Sequence, residues 1–208
     1  MELTCVEQAA RVDESLTRLT FLEAPPLFLF FTGKGAVGKT SLACASAVRL
    51  TTRGARVLLV STDPASNIGQ VFGLPVGNTR TPIPDVPGLS ALEIDPQQAA
   101  DEVDAMTEQL SGACTTEIAS FSEFTSLLAN PDVTAGYDHV LFDTAPTGHT
   151  IRLLQLPGEW TTYLSDGKGD VSCLGPVAGL DRFRHDYRGA LDALTDPTRT
   201  RLVIVSRP

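Results

Sequence analysis

Five short stretches of the chain are built around apolar runs: "LFLFFT" at 27–32, "RVLLVST" at 56–62, "LSALEID" at 89–95, "YDHVLFDTAP" at 137–146 and "RLVIVS" at 201–206. The first two predict strands buried on both faces, as in a parallel sheet, and the other three predict further strands. The segments between them have helical character. "TSLACASAVRLTTRG" predicts a helix ending near Gly54, and "PQQAADEVDAMTEQL" one opened by Pro96 in its first turn. Phe121, Phe124, Leu127 and Leu128 form a stripe at helical spacing over 116–129, which reads as core packing. Further helical segments lie near 149–156 and 180–194, and the Gly-, Pro-, Thr- and Asn-rich stretch 73–88 reads as a long surface connection. Strands alternating with helices predict an α/β doubly wound, mostly parallel sheet, with right-handed crossovers.

Residues 27–208 are expected to form one domain. Residues 1–26 are expected to be a poorly ordered N-terminal extension, a loose helix stopped by Pro25-Pro26. The last apolar run is followed by neither loop nor covering helix, which suggests a domain truncated at its C-terminus.

Composition narrows the chemistry. A net charge of −9 over 208 residues argues against nucleic acid as a partner, since a polyanion needs a basic face. No apolar stretch approaches the roughly 18 residues of a membrane span, and the polar N-terminus is unlike a secretory signal. Cys5, Cys44, Cys114 and Cys173 are far apart and fit no zinc spacing, so they read as reduced thiols of a cytoplasmic protein.

Between the first strand and the first helix stands Gly33-Lys34-Gly35-Ala36-Val37-Gly38-Lys39-Thr40, followed by Ser41. It fits G-x-x-x-x-G-K-[ST] in the strand–loop–helix context that phosphate binding requires. Backbone N–H groups there can wrap a β-phosphate, Lys39 can bridge β- and γ-oxygens, and Thr40 can offer its hydroxyl to Mg²⁺. Asp143 ends an apolar strand in one carboxylate, which suits the remaining Mg²⁺ ligand. Asp63 follows another strand at the same sheet edge and can orient or deprotonate an attacking water.

Lys34 is not required by that general pattern. A lysine in second place of the loop resembles the deviant Walker A motif of one P-loop branch, in which it reaches the nucleotide of a partner domain. "VLLVSTDPASNIGQVFG", "LSALEIDPQ", "EQLSGACTTEIASF", "FDTAPTGHTIRLLQLPG" and "SCLGPVAGL" resemble the N-terminal half of the arsenical pump ATPase family, over about residues 27–206. The resemblance implies ATP hydrolysis with Mg²⁺ that drives arsenite or antimonite efflux. The implied partners are a membrane efflux protein and a second P-loop half or second copy, at the inner face of the membrane. It implies that Lys34 serves the partner's nucleotide and that Asp63, Lys34 and Lys39 are catalytic. Cys114 and Cys173 would hold the metalloid, with His149 beside them; soft thiolates suit thiophilic metalloids. Cys5 and Cys44 match nothing and read as small buried residues. Ala36 departs from the family's usual glycine, and the stretch from Asp95 to Gly112 is shorter. The alternatives are a tail-anchored-protein targeting ATPase, which should carry a C-x-x-C zinc pair and a Met-rich groove, and a truncated non-catalytic nucleotide- or metalloid-binding remnant.

Overall fold

The five apolar runs become five of the six strands of one sheet. The computed structural model describes residues 19–63, 68–94, 123–144 and 180–207. Its strands are β1 (Phe28–Thr32), β2 (Val57–Ser61), β3 (Thr81–Pro82), β4 (Leu89–Glu93), β5 (His139–Asp143) and β6 (Thr200–Ile204). Their spatial order is β3-β4-β2-β5-β1-β6, all parallel except the β3–β4 pair.

Alternate residues of β1, β2, β4 and β5 feed two separate cores, whereas β6, at the edge of the sheet, departs from burial on both faces, with Leu202 55% and Ile204 78% exposed. Leu29, Phe31, Val57, Leu59, Ala91 and Leu141 face one side, where Ala43, Cys44, Ala47 and Leu50 of helix α1 (Lys39–Thr51) cover them. Phe28, Phe30, Leu58, Val60, Val140 and Phe142 face the other. There Phe124, Leu127 and Leu128 of the helical residues 123–129 (α3) pack, with Ala190 and Ala193 of the last helix, Leu180–Thr195 (α5). Phe30 and Phe142 stack at 4.5 Å between ring centroids, and Phe124 meets both rings edge-on. Helices on both faces of a mostly parallel sheet make the fold doubly wound, as the alternation of patterns predicts.

Shorter elements escape the pattern. Residues 73–88, read as a plain connection, contain β3, which pairs antiparallel with β4 through Thr81↔Ala91 and Pro82↔Ser90. The helices Ile68–Phe72 (α2) and Pro131–Thr134 (α4) are single turns, too brief to show a period. The helical readings for 96–110 and 149–156 lie outside the described residues. So does all of the N-terminal extension before Leu19. The part that is described is held down: Leu22 is fully buried, Phe21 meets Phe31 edge-on, and Arg53 and Arg201 donate to the carbonyls of Leu22 and Phe21.

The registers level the C-terminal ends of four strands. Phe31 pairs with Asp143, Asp143 with Ser61, and Ser61 with Glu93. Residues paired in a parallel sheet share a face, and here it is the face covered by α1. One row across the sheet edge therefore carries a hydroxyl and two carboxylates beside the start of that helix.

Candidate nucleotide site

The loop from Gly33 to Gly38 is shaped by glycine where glycine is needed. Gly33 is buried with φ 154°, and a β-carbon on it would stand 2.2 Å from the carbonyl oxygen of Val205. That carbonyl is fixed in turn, because the Val205 N–H donates to the Thr32 carbonyl at 2.8 Å. Gly38, with φ 96° and ψ 25°, is the N-cap of α1 and supplies no side chain to its first N–H groups. Those donors point out of the helix and are available to an anion. Ala36 also adopts a positive φ, 59°, at an exposed position. An L-residue there costs about 1–2 kcal/mol, a cost that glycine would avoid.

Lys39 and Lys34, alike in charge, sit differently. Lys39 is only 6% exposed, and its Nζ donates to the Lys34 carbonyl at 3.1 Å, closing the loop on itself. The residue Lys34 is exposed. Val37 and Thr40 are half-buried, and Gly35 and Ser41 are exposed.

Thr40 is joined to the row of strand ends. Its hydroxyl donates to Asp143 Oδ2 at 2.7 Å, while the buried Oδ1 finds no donor. Burial pushes the Asp143 carboxyl up to about 6, and the Asp63 and Glu93 charges push the same way; the Thr40 hydroxyl and Lys39 oppose. The Thr62 N–H donates to the Asp143 carbonyl at 3.0 Å and the Asp63 N–H to Ser61 Oγ at 3.2 Å, so the exits of β2 and β5 are tied. The structure thus brings Gly33–Ser41, Asp143 and Asp63 to one end of the sheet. Cys114, Cys173 and His149, with Cys5, lie outside the described residues. Cys44 is buried on α1, its thiol pushed up to about 12 by burial and then by the Asp143 charge. It is a neutral core residue, as the sequence suggests.

Glu93 was not anticipated. Its Oε1 accepts from the Gly69 N–H at 3.3 Å, and its charge is felt at Asp143. The signal was present in "LSALEID", where an apolar strand ends in a carboxylate just as "HVLFD" does.

The donors fit a magnesium ion. A buried carboxylate oxygen without a partner, beside a threonine hydroxyl, is an all-oxygen set suited to a hard cation. Among the described residues no three His, Cys, Asp or Glu side chains cluster as a metal cage. Mg²⁺ needs none, since it keeps waters and takes its other ligands from phosphates. No helix among the described residues is long and apolar enough to cross a membrane.

A glycine loop between a buried strand and a helix, its threonine bonded to a strand-end carboxylate, defines a P-loop nucleoside-triphosphatase domain. Residues 27–208 match the family model described as anion-transporting ATPase, and the chain belongs to that family. It is 56% identical to the arsenical pump-driving ATPase of Acidiphilium multivorum and 57% identical to one from Escherichia coli. Each match covers 91% of this chain and 35% of the relative, so the chain spans about a third of their length. A protein named ATPase GET3 from Malassezia globosa is 34% identical over 81% of this chain and 53% of its own length. The identity to the two arsenical pump-driving ATPases is thus higher than that to the GET3 protein.

Proposed function

We propose that this chain is the nucleotide-binding part of an ATPase that energises export of arsenite or antimonite. The observation that carries the reading is the 2.7 Å bond from Thr40 to Asp143, which joins the phosphate loop to a strand-end carboxylate with one oxygen to spare. On this reading Lys39 leaves the Lys34 carbonyl to meet the β- and γ-phosphates. Thr40 and Asp143 hold Mg²⁺, which when bound neutralises charge on the transferring phosphoryl group. Asp63 orients the attacking water. Lys34 reaches the nucleotide of a second P-loop half or a second copy. Cys114 and Cys173 take the metalloid as thiolates, with His149 nearby, and metalloid binding brings the halves together. The protein acts at the cytoplasmic face of the membrane through an efflux partner. Residues 27–208 form the ATPase domain, and residues 1–26 are an extension to it.

A melting series tests this. Ligand at 100 times its Kd stabilises by about 2.7 kcal/mol, and Mg-ATP should raise Tm accordingly. Lys39→Ala should remove that gain. The same series with arsenite should show a shift lost in Cys114→Ser and Cys173→Ser and kept in Cys44→Ser. A folded sample whose Tm ignores millimolar Mg-ATP would overturn the reading.

A further inference from the structure

Glu93 stands at the level end of β4, in the row with Ser61 and Asp143 and on the α1 face. Its carboxylate takes the N–H of Gly69, the second residue of α2, and its own N–H donates to the Gly77 carbonyl at 3.0 Å. Around it the chain from 68 to 77 is folded tightly. The Leu74 N–H donates to the Gly69 carbonyl, and a β-carbon on Gly69 would meet the Leu74 oxygen at 2.8 Å. Ile68 is fully buried. Glu93, Gly69 and Leu74 also line an open cavity of about 430 Å³, so solvent reaches this joint.

The connection that carries Asp63 runs from β2 to α2. At its start it is tied to the sheet by the bonds from Thr62 to Asp143 and from Asp63 to Ser61. At its far end the Glu93 bond to Gly69 ties it to the next strand. We infer that Glu93 is a positioning residue: its carboxylate latches the start of α2 and fixes the far end of the connection that presents Asp63 to the nucleotide. The inference rests on the ATPase reading above, and its test separates the two.

Three variants divide reach from charge. Glu93→Gln keeps the acceptor oxygen at the same reach without the charge. Glu93→Asp keeps the charge but falls one methylene short of Gly69, and Glu93→Ala removes both. The expected result is that the Gly69 amide exchanges with deuterium about tenfold faster in the Asp and Ala variants and near the unaltered rate in the Gln variant. Turnover should fall by about tenfold or more in the same two variants, while affinity for Mg-ATP changes less than about threefold. Recovery by Asp rather than Gln would overturn the latch in favour of a charge effect. Unchanged Gly69 exchange in Glu93→Ala would overturn it outright, and faster exchange with unchanged turnover would overturn the positioning role. Failure of the unaltered chain to bind Mg-ATP would instead overturn the nucleotide reading and the catalytic half of this inference, leaving the exchange arm to decide the latch.

Discussion

Asp143 is the most strongly constrained side chain of the site. It is fully buried, holds one hydrogen bond on Oδ2 and none on Oδ1, and its carboxyl is raised from 3.8 to about 6. Between those values the folded chain binds a proton that the unfolded chain has released. The stabilisation is therefore complete below about pH 4 and lost as pH rises through about 6. At 1.36 kcal/mol per unit the ligand-free chain forfeits on the order of 3 kcal/mol at neutral pH relative to an unshifted carboxyl. Asp143→Asn should remove the charge that burial penalises. The variant is expected to be more stable than the unaltered chain at pH 7.5 by about 1–3 kcal/mol without ligand, to lack that component of the fall in stability between pH 4 and 6, and to lose the Mg²⁺-dependent part of the ATP response. Urea denaturation across pH 4–8 measures the first two. A fall in stability between pH 4 and 6 as steep in Asp143→Asn as in the unaltered chain would refute the assignment. A site that is less stable empty than filled is what a ligand-binding carboxylate should look like.

At the scale of elements, the loop between β1 and α1 tests whether its glycines are there for space or for conformation. At Gly33 a β-carbon would collide with a main-chain oxygen at 2.2 Å, and main chain cannot rotate aside. At Gly38 nothing lies within 4 Å, and only the positive φ opposes a side chain. Gly33→Ala should therefore cost about 3 kcal/mol and pull β6 from the loop, whereas Gly38→Ala should cost about 1 kcal/mol. Equal losses of stability in denaturant titrations would contradict this. The contrast also marks what the sequence can reveal. Both glycines follow from one motif, but the oxygen that makes Gly33 irreplaceable belongs to Val205, at the far end of the chain. The long strands were legible because burial on both faces leaves no polar alternate in "VLLVS" or "LFLFF". β3 was not, having two residues of which one is Pro82, and neither were the single-turn helices α2 and α4. The pairing of Thr40 with Asp143 could be anticipated because motif chemistry demands it. The Glu93–Gly69 bond could not, since it depends on how tightly 68–77 folds back.

For the molecule as a whole, the open question is what Lys34 faces. The loop uses the Lys34 backbone and leaves its side chain to solvent: the carbonyl accepts from Lys39 Nζ, while the residue remains exposed. An exposed lysine in the phosphate loop is free to act on a nucleotide in another domain. On the proposed reading the facing domain would belong to a longer polypeptide or to a second copy; the chain itself spans 35% of the length of its arsenical pump-driving relatives. Preorganised charge contacts of this kind are worth about 3–4 kcal/mol, or roughly 10² to 10³ in rate. The chain alone should bind ATP better than it hydrolyses it, and turnover per chain should rise with protein concentration as copies meet. Lys34→Ala and Lys39→Ala should each be nearly inactive alone. Mixed, they should recover part of the activity, because a heterodimer holds one composite site with Lys39 from the first variant and Lys34 from the second. Mixing at rising total concentration, with turnover followed by phosphate release, reads this directly. Turnover that is independent of concentration and untouched by Lys34→Ala would show that the lysine serves no neighbour and is an ordinary solvated loop residue.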